Sequence, residues 1–142
     1  MSSSDRFKPI QKVASHKERK AAAALAESLK RRDAERQRLG QLKQYLAEYL
    51  EGYASAAGHG LSGSRILEYQ GFISKLQVAI AEQEQVVSRS QQDCDSSKAQ
   101  WRGRHTKSKA MSNAVDRMDT EERRQQDRRE QSETDDRSPR RR

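Results

Sequence analysis

Fifteen positions in the C-terminal half, Tyr69, Ile73, Leu76, Ile80, Gln83, Val87, Ser90, Cys94, Ser97, Trp101, Arg104, Ser108, Met111, Val115 and Met118, fall on one unbroken alternation of four- and three-residue steps. A stripe that recurs every 3.5 residues on average stays against a partner helix when the two wind around each other. A similar ladder runs through Ala22, Leu25, Leu29, Arg32, Arg36, Leu39, Leu42, Leu46, Tyr49 and Tyr53. Between the two lies a glycine-rich break, Gly58-His59-Gly60-Leu61-Ser62-Gly63-Ser64. This pattern predicts an all-α chain folded as one long antiparallel two-helix coiled-coil hairpin with frayed, charged termini.

Only 32% of the residues are hydrophobic and 35% are charged, too few apolar side chains for a compact globular core, yet they are periodic rather than scattered. A coiled coil needs only the narrow seam. The two prolines, Pro9 and Pro139, leave nearly the whole interior free of helix breakers. Arms of ~50 residues at the α-helical rise give a rod of roughly 75 Å. No apolar run is long enough for a membrane span, and the start Met1-Ser-Ser-Ser-Asp-Arg lacks the apolar stretch of a secretory signal, so the expected location is the cytoplasm. Cys94 is the single cysteine, which excludes an intrachain disulfide and a multi-cysteine metal site; on the seam it reads as a small buried hydrophobe.

The expected organisation is a single hairpin over 1–142, with a first helix over 7–57, a loop over 58–64, a second helix over 65–122, and a charged tail over 123–142 that is helical or disordered. Pro9 suits a first-turn position, the run Ala21-Ala22-Ala23-Ala24 favours helix strongly, Gly40 and Gly52 weaken it locally, and Ser62 or Ser64 can cap the second helix. With the turn centred near residue 60 or 61, facing residue numbers total about 121. That places Tyr49 opposite Phe72 and Ile73, Leu42 opposite Ala79 and Ile80, and Leu25 opposite Cys94 and Ser97. Trp101 then meets the alanine run, a large-to-small match that favours an intramolecular hairpin over a parallel dimer. Polar seam residues such as Gln83, Ser90, Arg104 and Arg32 lower stability while fixing register.

No phosphate-binding glycine loop, nucleophile elbow, zinc-peptidase motif or paired-cysteine motif occurs, so no catalytic, cofactor or metal residues are expected. His16 would face His105, but two histidines without a carboxylate or cysteine are a poor ligand set. Charge is uneven: residues 1–40 carry 11 basic and 5 acidic side chains and 101–120 carry 5 and 2, whereas 41–100 carry 5 and 7 and the tail from 121 carries 8 and 7. A basic end of this kind suits an acidic protein cavity, anionic lipid or nonspecific nucleic acid, or is simply a solvated face. Near the turn, Phe72, Leu76, Ala79 and Gln83 form a second stripe beside the Ile73 and Ile80 seam, and Leu42, Tyr45, Tyr49 and Tyr53 add bulk on the facing arm. Two helices cannot bury an arc that wide, so the stripe is a candidate partner surface; the plainer reading is that it thickens the seam.

These residues together resemble the FliJ family of flagellar type III export proteins. The likeness covers most of the chain: the basic first arm, Leu42, Tyr45 and Tyr49, the glycine loop, Tyr69-Gln70-Gly71-Phe72-Ile73, Leu76, Ala79-Ile80, Gln83, Trp101-Arg102 and Glu121-Glu122. The resemblance implies a non-enzymatic stalk-like hairpin, similar in shape to the central stalk of rotary ATPases, that serves flagellum assembly, motility and chemotaxis. It implies binding to the hexameric export ATPase and to the transmembrane export gate protein, and escort of flagellar substrate chaperones, at the cytoplasmic face of the cell membrane at the flagellar base. It places gate binding on Phe72, Leu76, Ala79 and Gln83, the last standing where some relatives have histidine. An apolar and aromatic patch on the first helix is Leu42, Tyr45 and Tyr49, and the basic open end expected to meet the ATPase ring includes Arg19, Lys20 and Arg102. The analogous stalk of a virulence secretion system and a basic nucleic-acid-binding coiled coil are the alternatives.

Overall fold

The computed structural model describes residues 2–137 and contains two helices, α1 (Ser3–Gly58) and α2 (Gly63–Arg137), packed against each other as a helical hairpin. No strand occurs among the described residues. The end of the charged tail, residues 138–142 with Pro139, lies outside them.

Both helices exceed their expected lengths, for identifiable reasons. α1 starts at Ser3 rather than near Phe7, because Ser2 caps it: the Ser2 hydroxyl accepts the Asp5 N–H at 3.3 Å and the Ser2 carbonyl accepts the Arg6 N–H at 3.3 Å. Pro9 therefore sits inside the helix instead of in its first turn. At the other end, Gly60 adopts a φ of +85°, a conformation open to glycine at little cost, and the N–H groups of His59 and Gly60 close on the carbonyls of Ala56 and Ala57. Ser62 then caps α2, its hydroxyl accepting the Arg65 N–H at 3.3 Å. The connection shortens to residues 59–62. α2 continues as helix to Arg137 although the segment past Glu122 has no apolar side chain, so its last turns stand on exposed charged residues.

Burial follows the ladder. Among the described residues, every buried side chain of α2, Leu76, Gln83, Ser90, Cys94, Ser108 and Val115, is a ladder position, and Cys94 and Val115 are each only 3% exposed. Arg104 is the exception on the ladder, since it lies exposed. In α1 the expected register is corrected at three places. The covered positions are Ala21, Ser28 and Glu35, whereas Ala22, Leu29 and Arg36 are exposed. Ala21, Leu25, Ser28, Arg32, Glu35, Leu39, Leu42 and Leu46 keep strict four- and three-residue steps, whereas a seam through Arg36, Leu39 and Leu42 would take two three-residue steps in succession. Uniform winding against α2 thus overrides the greater hydrophobicity of Leu29.

Several polar seam residues are paired. Gln83 donates from Nε2 to the Glu35 carbonyl at 3.0 Å and to the Glu35 carboxylate at 2.5 Å, the hydroxyls of Ser28 and Ser97 are 2.9 Å apart, and Ser90 donates to the Val86 carbonyl at 2.9 Å. All of these bonds offset the desolvation cost of a buried polar group, and the Gln83–Glu35 and Ser28–Ser97 pairs also hold register, since a slip between the helices would separate them, whereas the Ser90 bond lies within α2. Ser28 meets Ser97 where Leu25 was expected, and Glu18 meets His105 where His16 was expected. Side chains lean toward the N-terminus of their own helix, which in an antiparallel pair moves contacts such as these two beyond the backbone-level count.

Contacts group into two compact units, each built from both helices: a terminal unit of Met1–Ala23 with Ala99–Arg142, and a loop unit of Ala24–Lys98.

Candidate partner-binding surfaces

In the loop unit four aromatic rings form a continuous cluster. Tyr49 stacks on Phe72 with centroids 4.2 Å apart and planes 29° apart, and Tyr69 meets Tyr49 and Tyr53 edge-on at 6.3 and 5.5 Å. Offset and edge-to-face arrangements of this kind add to the stabilisation from area burial. The cluster stays open on one side: Phe72 is 41% exposed and Tyr49 is exposed, and Arg65 and Glu68 complete the rim of the shallow depression they line.

The four α2 residues on which gate binding was expected are split by burial. Phe72 is exposed and Ala79 is half-buried, whereas Leu76 at 8% and Gln83 at 7% exposure lie in the seam. The reason is register, since Leu76 and Gln83 are themselves ladder positions, while Phe72 and Ala79 each precede one, Ile73 and Ile80. On the facing helix Leu42 is partly covered, and Tyr45 and Tyr49 are exposed. Tyr45 also precedes a seam residue, Leu46. Arg36 and Gln91, which each follow one, are hydrogen-bonded at 2.9 Å, so the following flanks of the two helices adjoin and the preceding flanks adjoin on the opposite side. Tyr45, Phe72 and Ala79 therefore belong to one side of the loop unit.

In the terminal unit Arg19, Lys20 and Arg102 are exposed, and none takes part in an ion pair among the described residues. Beside them the His105 ring stacks on the partly buried Trp101 at 5.0 Å and 18°, and its Nδ1 lies 2.6 Å from the Glu18 carboxylate. Hydrogen bonds from His105 first and from Ser108 hold the Glu18 carboxyl below the ordinary glutamate value. A second carboxylate closes the helix ends: Glu122 accepts the Ser4 N–H at 3.0 Å and the Ser4 hydroxyl at 2.9 Å, placing a negative charge at the N-terminus of α1 and giving a free helix N–H its partner. The Ser4 N–H is the main cause of the lowered Glu122 pKa.

One feature of this unit escaped the periodicity. Phe7, Ile10, Val13 and Ala14 of α1 and Ala110, Met111 and Ala114 of α2 line an open groove of ≈520 Å³ bordered by Lys17, Arg104 and Lys107. Ile10 and Val13, three residues apart and off the seam, were its sequence signal.

Among the described residues no group of three histidine, cysteine, aspartate or glutamate side chains is placed to hold a metal ion, and no helix is long and apolar enough to cross a membrane. A family model described as "Flagellar FliJ protein" matches residues 3–141 of the chain. No curated protein sequence matches it.

Proposed function

The chain belongs to the flagellar FliJ family, and from that membership we propose that it works as a non-enzymatic stalk and coupling protein of flagellar type III export. The basic surface of the terminal unit engages the export ATPase hexamer, with Arg19, Lys20 and Arg102 meeting acidic side chains of the ring. The aromatic side of the loop unit engages the transmembrane export gate protein, with Phe72 as anchor, Ala79, Tyr45 and Tyr49 around it, and Leu76, Gln83 and Leu42 holding the helices beneath. The protein also escorts flagellar substrate chaperones and acts on the cytoplasmic side, peripherally attached at the base of the flagellum. Holding two partners at once raises the effective concentration of each at the other.

The observation that carries the reading is the stacked but open Tyr49–Phe72 pair: an aromatic anchor left partly uncovered in a chain so rich in charge matches the side chains that dominate protein interfaces. The test is titration of the purified protein separately with the export ATPase and with the cytoplasmic domain of the gate protein. Saturable binding to both, with the gate lost on Phe72→Ala and the ATPase lost on reversal of Arg19, Lys20 and Arg102, supports it. Absence of binding to either partner overturns it.

A further inference from the structure

The groove in the terminal unit has the make-up of a receptor for a helix. Its floor and walls come from Phe7, Ile10, Val13 and Met111, with small Ala14 and Ala114 leaving room between the larger side chains. Ile10 is 49% and Val13 53% exposed, so two branched apolar side chains on one turn of α1 stand in water, an arrangement disfavoured at roughly 25 cal/mol for each Å² of apolar surface that remains uncovered. The lining runs along α1 from Phe7 to Lys17, and ten helical steps amount to about 15 Å, close to three turns.

The border selects the occupant's charge. Lys17, Arg104 and Lys107 stand together at the Lys17 end of the apolar floor, no carboxylate lines the groove, and none of the three cations is in an ion pair among the described residues. Arg104 occupies a ladder position yet is exposed, contributing its charge to the groove instead of filling the seam. We infer that this groove docks an amphipathic helix of a partner protein whose apolar stripe is flanked by Asp or Glu. Apolar side chains at i, i+3 or i+4, and i+7 of that helix enter between Phe7, Ile10 and Met111, and its carboxylates meet the three cations. The inference rests on reading the chain as a partner-binding protein, but it uses residues other than Arg19, Lys20 and Arg102.

The full chain is titrated, by fluorescence anisotropy, into a labelled designed peptide of about 15 residues carrying leucines at helical spacing with glutamates on both sides. Two controls accompany it: the same composition in scrambled order, and lysines in place of the glutamates. The periodic acidic peptide should bind at least roughly tenfold more tightly than either control. Ile10→Asp should abolish the difference, and Lys17→Glu with Lys107→Glu should invert the preference toward the lysine peptide; circular dichroism checks that each variant keeps its helicity. Equal binding of all three peptides, or binding unchanged by Ile10→Asp in a fully helical variant, overturns the inference. So does sedimentation of the free protein as a dimer that Ile10→Asp dissociates, which would make a second copy the occupant. Reversal of Arg19, Lys20 and Arg102 should weaken peptide binding only through salt-sensitive charge and leave the periodic peptide preferred over its scrambled control, so failure of the ATPase reading and failure of the groove reading give different results.

Discussion

Phe72 and Leu76 stand one helical turn apart and have opposite surroundings, the first 41% exposed against Tyr49 and the second 8% exposed in the seam. Their truncations should separate accordingly. Phe72→Ala removes an anchor and should weaken gate binding by roughly thirtyfold, about 2 kcal/mol, with little change in melting temperature and intact ATPase binding. Leu76→Ala should cost about 2–5 kcal/mol of stability and lower both partners' binding only as the fold is lost. Paired melts and isotherms for the two variants check this; a Phe72→Ala protein that melts early and binds neither partner would make Phe72 a packing residue. The sequence put Leu76 on the seam ladder as well as on the second stripe and Phe72 on the second stripe alone, because spacing by itself cannot tell which of two neighbouring stripes a facing helix covers. Burial of Gln83 was legible from the ladder, but its partner was not: Glu35 accepts its amide, whereas the sequence ladder ran through Arg36. At Gly40, exposed in mid-helix, an added Cβ meets nothing within 4 Å, so Gly40→Ala should stabilise the protein by about 0.5–1 kcal/mol, read by chemical denaturation.

The two helices were legible as elements because their seam has a single period and their turn a cluster of glycines; their ends were not. A cap made by Ser2 and a carboxylate contributed from 118 residues away are contacts that periodicity does not carry. The Glu122 contact has a pH signature. Its pKa is lowered in the folded protein by the Ser4 N–H, so its stabilisation is present in full above the ordinary value of 4.5 and is lost as pH falls through the lower native value. Glu122→Gln should therefore melt below the unmodified protein at neutral pH, and the gap should narrow as pH drops from ~5 toward ~3. Glu18, lowered by His105 and Ser108, follows the same sign, so Glu122→Gln should leave part of the acid sensitivity in place. A melting gap that is constant across this range would show that the Ser4 contact is not coupled to the charge.

Across the whole molecule the net charge is confined to one unit. The terminal unit holds 19 basic and 11 acidic side chains, a net +8, and the loop unit holds 10 of each. Reversal of Arg19, Lys20 and Arg102 to Glu takes the chain from +8 to +2 and should weaken ATPase binding and flatten its salt dependence, because attraction between exposed charges is screened beyond ~10 Å at 0.1 M salt. Gate binding, which relies on the neutral unit, should change little with either salt or reversal; equal salt slopes for the two partners would contradict that division. The confinement of α2's buried side chains to ladder positions also governs how such a chain can drift over generations. Substitutions at the many solvent-facing positions leave the hairpin standing as long as helix formers are kept, so its letters can be rewritten extensively while the stripe, the turn glycine and the docking side chains persist. Shape in this architecture is inherited through a sparse set of positions, and the rest of the surface is free to follow its partners.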